Sequence, residues 1–321
     1  MCFQAVIIKV AVPGDPGVLT VTTNNSFQVL ILGHGEMGQA MEQLLARHRL
    51  TVWERRPKTG APPVALETVA GRQDFVLFCV PAVPHFDLAT RLRPHLGRDT
   101  LCLSVAKGLD ERGRTAAQAM TDAFGSADGF GVLYGPMIAE EIRAGRPAFA
   151  QAGAIHRESY ERIRALYAGT ALGLEHSTDI AGLSWSAVLK NAYAMLFGVA
   201  DELQLGDNVR GYLAVAALAE LEGLVAGLGG RADTVRGLAG LGDLVTTATS
   251  AGSRHHELGR RLARGEPATE KAEGVHTLKL VRARGLFDVA RYPLFHLIER
   301  LLAEPAGARE RMRELIAGAR R

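Results

Sequence analysis

Residues 28–38 read QVLILGHGEMG. Four consecutive aliphatic side chains, Val29 to Leu32, suit a buried central strand, and the run after Gly38 carries Ala40, Leu44 and Leu45 on one helical face. Between them stands G-x-G-x-x-G in the strand-to-helix setting that gives the pattern its meaning. Gly33 permits the tight turn, Gly35 lets a pyrophosphate approach the backbone, and Gly38 lets the helix pack on the strand while its N-terminus faces the phosphates. The chain holds 36 glycines, so the flanking strand and helix carry this reading rather than the glycines alone.

Downstream, residues 50–53 predict a second strand ending at Glu54-Arg55-Arg56, about twenty residues past the glycines, where such folds meet the adenosine ribose. Glu54 suits a ribose 2′-hydroxyl and hence NAD. Arg55 and Arg56 suit a 2′-phosphate, and two adjacent guanidinium groups tilt the expectation toward NADP. After a loop at Ala61-Pro62-Pro63, apolar runs at 75–80 and 101–105 alternate with helical patterns, the signature of a parallel sheet. Lys107-Gly108 follow the second of these runs, just past the carboxyl end of a buried strand, where ligands bind in open α/β sheets. Another strand runs through Gly131 to Tyr134 into Gly135-Pro136-Met137, and Ala139-Glu140-Glu141 opens a helix with acids in its first turn. Gly135 allows close backbone approach at the same sheet edge. Residues 171–176 are a further strand.

Past about residue 178 the pattern becomes wholly helical. Residues 180–200, IAGLSWSAVLKNAYAMLFGVA, contain one charged side chain, Lys190. Apolar residues recur at Trp185, Val188, Leu189, Ala192, Leu196, Val199 and Leu203, and the remaining faces are also nearly uncharged, which places this helix inside the protein. An ammonium held there is paired, or lowered in pKa by desolvation, or snorkels to solvent; the first two situations are typical of a lysine that does chemistry. A second helix follows at 211–228. In RGLAGLGDL, residues 236–244, three glycines precede one carboxylate, Asp243, which reads as a loop that presents it. Ser253-Arg254 after a glycine offers an anion grip. His255 and His256 lack acid or cysteine partners at ligand spacing, so no metal site is expected, and no G-x-S-x-G nucleophile motif occurs.

The composition bounds the class. With 321 residues, 47% hydrophobic and 22% charged, the chain suits two domains with ample core. Its 37 basic and 34 acidic residues leave a net charge of +3, too balanced to announce nucleic acid. Three cysteines without metal spacing fit a reducing, cytoplasmic setting, and no apolar run approaches membrane-spanning length. The first residues lack a basic start and an A-x-A-like cleavage site, so no signal peptide is read there. AVPGDPG and TTNN mark a loosely attached tail, with Val21-Thr22-Thr23 resembling an alternative start. The expected division is a tail at 1–27, a nucleotide-binding domain at 28–178 and an all-helical domain at 179–321. Lys190 falls at their junction, where small-molecule sites are common.

The ordered set GHGEMG, AKGLD, GPMIAEE, VLKNAYAML, GLAGLGDL, SRHHELG and AEGVHT resembles the bacterial-type NAD(P)-dependent sn-glycerol-3-phosphate dehydrogenase family over roughly residues 28 to 310. The resemblance implies a Rossmann-type α/β domain with a mainly parallel sheet, followed by an all-α C-terminal domain like that of 6-phosphogluconate dehydrogenase. It further implies a homodimer that reduces dihydroxyacetone phosphate to sn-glycerol 3-phosphate for phospholipid synthesis. Carried onto this chain, Lys190 is the general acid or base and Asp243 its orienting partner. Lys107 holds substrate near the nicotinamide, and Arg254 with Ser253 binds substrate phosphate beside the cofactor. Gly135, Met137 and His255 fall at further substrate positions. Glu36, Met37, Arg55, Arg56, Ala139 and Glu273 fall at cofactor positions with Gly33, Gly35 and Gly38.

Four positions depart from the family pattern. Met137 replaces a small hydroxyl residue, Ile138 and Met37 replace aromatics, and His255 replaces an asparagine. Histidine can still donate to a phosphate, whereas methionine cannot replace a hydroxyl donor. Two alternatives stay open: a two-domain reductase of the ketopantoate or β-hydroxyacid type acting on a carboxylate, against which the VLKNAYAML and GLAGLGDL motifs argue, and a paralogue that binds NAD(P)H without turnover, which Met137 and His255 motivate.

Overall fold

The computed structural model describes residues 26–56, 64–250, 252–268 and 273–319. Most of the expected tail, including Val21-Thr22-Thr23, and the Ala61-Pro62-Pro63 loop lie outside the described residues. Seven strands, β1 (Gln28–Leu32), β2 (Arg49–Trp53), β3 (Phe75–Phe78), β4 (Leu101–Ser104), β5 (Phe130–Tyr134), β6 (Ala148–Gly153) and β7 (Leu172–Ser177), form one sheet in the order β2-β1-β3-β4-β5-β6-β7. β1 to β5 run parallel. β6 turns antiparallel to β5, and β7 runs parallel to β6. The sheet is thus the mainly parallel one expected, with a reversal at β6 that residues 148–153, AFAQAG, do not announce.

Val29 and Ile31 face one apolar layer, and Leu30 and Leu32 face the other, as the period-two pleat requires. α1 (Glu36–Leu44), α2 (Leu66–Ala70), α3 (His85–Leu92), α4 (Ala116–Phe124), α5 (Ala139–Arg143) and α6 (Arg157–Leu166) cover the sheet. α1, α5 and α6 bury Met41, Ile142 and Ile163 in the first layer, while α2, α3 and α4 bury Leu66, Leu92 and Met120 in the second. β3, β4 and β5 are buried at every residue, which is why they read as unbroken apolar runs.

From Ile180 onward the described chain contains no strand: α7 (Ile180–Glu202), α8 (Asp207–Gly227), α9 (Asp243–Thr249), α10 (Arg254–Ala263), α11 (Glu273–Arg284), α12 (Pro293–Ala303) and α13 (Ala308–Ala319). α7 is the axis of this half. It is buried without a break from Gly182 to Ala200, and its first turns also reach the second sheet layer through Ile180, Leu183 and Ala187. Buried Asp179 fixes the helix start: it accepts from the Gly182 amide at 2.9 Å, the Arg231 amide at 2.8 Å and the Thr234 hydroxyl at 2.6 Å, discharging an orphan amide of the first turn. Farther along, α10 crosses α7 in backbone contact. A Cβ on Gly198 would lie 1.9 Å from the His256 carbonyl, and one on Gly259 would lie 1.9 Å from the Met195 carbonyl. Only a glycine pair permits that approach, and it locks the start of α10 relative to Lys190.

Candidate active site

Three elements bring three charged side chains together past the carboxyl ends of the parallel strands. Lys107 leaves the end of β4, Lys190 sits midway along α7, and Asp243 opens α9. Asp243 stands between the two lysines, with Oδ1 3.1 Å from Lys190 Nζ and Oδ2 2.7 Å from Lys107 Nζ. Lys107 also donates to the Gly135 carbonyl at 3.0 Å, at the exit of β5. Lys190 is only 3% exposed and Asp243 likewise 3%. Burial pushes the Lys190 ammonium down to about 8, with Asp243 pulling the other way. Burial would raise the Asp243 carboxyl, but the Lys107 and Lys190 charges outweigh it and hold the carboxyl below its usual range. Both resolutions foreseen for a buried lysine, pairing and desolvation, therefore operate at once.

Thr247 completes the cradle. Its hydroxyl donates to the Asp243 carbonyl at 2.7 Å and accepts from Lys190 Nζ. An ammonium has three N–H donors; Asp243 and Thr247 take two and leave one for a substrate oxygen. The sequence held a usable sign of Thr247, its i+4 spacing from Asp243 on one helical face. The glycines ahead of Asp243 do not form the open loop expected. Leu238–Gly242 is a π-helical turn, closed by the Gly242 amide on the Gly237 carbonyl at 3.1 Å, that runs directly into α9. Single π turns recur at functional sites.

At the α10 start, Ser253 accepts from the His256 amide at 3.2 Å as the helix cap, with its own O–H left to donate. Arg254 is exposed. His255 Nε2 accepts from the Gly274 amide at 3.1 Å, so its ring proton lies on Nδ1, where it can serve an anion. Burial, and next the Lys190 charge, push His255 down to about 4 and keep the ring neutral. His256 does different work, bonding Asp201 at the end of α7 at 2.8 Å. Glu273, at the start of α11, lies within reach of the Lys107, Lys190 and Arg254 charges and against Gly108. Met137 is 6% exposed and packed in the apolar layer with Val29 and Ile142, so this position contributes shape rather than a donor.

The glycine loop lies between β1 and α1. Gly33 has φ +93°, and a Cβ on Gly38 would meet the Gly33 carbonyl at 2.0 Å. Nothing lies within 4 Å of a Cβ built on Gly35, which leaves its backbone face open beside the amides of the α1 start. That combination fits a dinucleotide pyrophosphate. Glu36 is drawn aside by Arg143 at 2.6 Å, Met37 is half-buried against the first apolar layer, and Ala139 opens the neighbouring α5. Arg55 and Arg56 are exposed beyond the end of β2, next to the loop, since the Gly33 amide donates to the Trp53 carbonyl at 2.8 Å. Among the described residues, no helix is long and apolar enough to cross a membrane.

Residues 61–159 match the N-terminal part, and residues 179–313 the C-terminal part, of NAD-dependent glycerol-3-phosphate dehydrogenase. The chain is 33% identical over 263 residues to a glycerol-3-phosphate dehydrogenase [NAD(P)+] of Agrobacterium fabrum, covering 74% of this chain and 80% of that one. With the same enzyme of Moorella thermoacetica it shares 31% over 313 residues, covering 87% and 93%. The crystal structure of glycerol-3-phosphate dehydrogenase from Coxiella burnetii superposes with a TM-score of 0.79 at 25% identity, over 91% of this chain and 99% of that one. A junction of two lysines on one buried aspartate, a dinucleotide cradle and two matched halves leads to one assignment: the chain belongs to the NAD-dependent glycerol-3-phosphate dehydrogenase family.

Proposed function

We propose that this protein interconverts dihydroxyacetone phosphate and sn-glycerol 3-phosphate, with Lys190 as the proton donor in reduction. The observation that carries the reading is the Asp243 carboxylate held between Lys190 and Lys107. Reducing a ketone needs a proton donor at the oxygen where negative charge develops. Lys190, at about 8, is mostly protonated at neutral pH and close enough to it to release the proton readily. Lys107 adds a second positive charge near that oxygen, and Asp243 keeps both ammonium groups aimed from a buried position. Arg254, Ser253 and the Nδ1–H of His255 offer donors to the substrate phosphate. NAD(P)H, when bound along the Gly33–Gly38 loop, supplies the hydride to the carbonyl carbon. Arg55 and Arg56 favour NADPH at the ribose end. Met137 and Gly135 shape the substrate side, and Glu36, Met37, Ala139 and Glu273 border the cofactor.

The same reading carries a cytoplasmic homodimer that supplies glycerol 3-phosphate for phospholipid synthesis. The direct test follows the absorbance of the reduced cofactor on adding dihydroxyacetone phosphate, with NADPH and NADH in parallel. Rapid decay with formation of glycerol 3-phosphate supports the reading. No decay with either cofactor, in protein that binds both, overturns it.

A further inference from the structure

The antiparallel strand β6 places one polar side chain at the site's edge. Gln151 pairs in register with Tyr134, the last residue of β5 before Gly135. Its neighbours Ala150 and Ala152 point into the apolar layer, so the pleat turns Gln151 the other way. There its Oε1 accepts from the Ala239 amide at 3.0 Å. The rest of the amide lies flat on Gly237, where an added Cβ would come within 2.6 Å of both Oε1 and Nε2. Gly237 and Ala239 are the mouth of the π turn whose last residue, Gly242, precedes Asp243. Amides in a first helical turn have no intrahelical acceptor, and Gln151 supplies one from the sheet.

We propose that Gln151 is a positioning residue that clamps the π turn to β6 and thereby holds Asp243 between Lys190 and Lys107. The side chain touches neither lysine. Its influence passes through the turn backbone, so losing the amide leaves the charges present but lets Asp243 drift from Lys190. The kinetic part of the proposal rests on the function read above; the titration part does not.

The experiment uses the full chain labelled with 15N-lysine. The sequence holds six lysines, and Lys190→Arg identifies the Lys190 signal. In the wild type Lys190 is expected to titrate at about 8. In Gln151→Leu, with Gln151→Met as a second variant of similar bulk, it should titrate lower, because the carboxylate that favours its ammonium has moved away. Gln151→Glu retains an acceptor for Ala239 and should keep Lys190 at or above the wild-type value. In steady-state reduction of dihydroxyacetone phosphate, Gln151→Leu should lower kcat by about tenfold, but by less than about twofold in an Asp243→Asn background, as residues acting through one another do. A Lys190 titration unchanged in both apolar variants overturns the proposal, as does an equal loss of kcat in both backgrounds. A shifted titration in protein inactive on dihydroxyacetone phosphate leaves the clamp standing and removes the substrate assignment instead.

Discussion

Asp243→Asn is the most informative single change, because it removes one charge and almost no volume. In the native site the carboxylate offsets both the desolvation of Lys190 and the repulsion from Lys107. Without it both act unopposed, and an opposite charge at such a distance is worth about 1–3 pKa units. Lys190 starts at about 8, so about nine-tenths of it is protonated at pH 7. A fall of about two units leaves roughly one-tenth protonated, and ketone reduction at pH 7 drops about tenfold from protonation alone. The sign is fixed. Reduction consumes the ammonium form, so activity is present at low pH and is lost as pH rises through the Lys190 value. The alkaline limb of kcat should therefore move from about 8 toward acid. The assay is the pH profile of kcat with 4-deuterated NADPH, where a retained primary isotope effect shows that the chemical step is being read. A limb that stays in place, or moves to higher pH, refutes the role assigned to Asp243.

Three other outcomes follow from the same geometry. His255→Leu removes the Nδ1–H donor while filling the space, and should raise KM for dihydroxyacetone phosphate by about tenfold or more, the value of one hydrogen bond to a charged group, whereas His255→Asn should stay within about threefold; initial-rate kinetics decides. Replacing Arg55 and Arg56 together by serine should raise KM for NADPH by about tenfold and leave that for NADH nearly unchanged, and an equal rise for both would remove the ribose-phosphate role. Gly259→Ala forces a Cβ to within 1.9 Å of the Met195 carbonyl and should destabilise the fold by about 1–3 kcal/mol, read as a lowered Tm in calorimetry.

Much of this was legible in the chain. The strand, glycine loop and helix at 28–45 depend on residues adjacent in sequence, and local periodicity reports such elements faithfully. Lys190 stood out because a lone charge in a helix buried on every face has few explanations. The lines that failed to show were those written across long separations. β6 reads as ordinary alternation, and nothing in AFAQAG records that it runs against β5. Gln151 gains meaning only from a partner 88 residues away, and Thr247, though spaced i+4 from Asp243, meets Lys190 across 57 residues. The π turn reads as a glycine loop, because glycine content marks close approach without saying how the backbone will close. Met137 packs in the apolar layer with Val29 and Ile142, and Val29, far off in the chain, is a partner that its place in the motif does not record.

The continuous burial of α7 from Gly182 to Ala200 constrains how this protein can change over evolutionary time. The element that carries the proposed proton donor is also the one that holds the helical half together, so a substitution there is paid in stability before any new chemistry can be tried. Change in specificity is pushed outward, to the starts of α10 and α11 and the exit of β5, which lie outside the continuously buried stretch of α7. Substitutions at those edges can alter what the protein grips while the buried helix, and Lys190 with it, keeps its place.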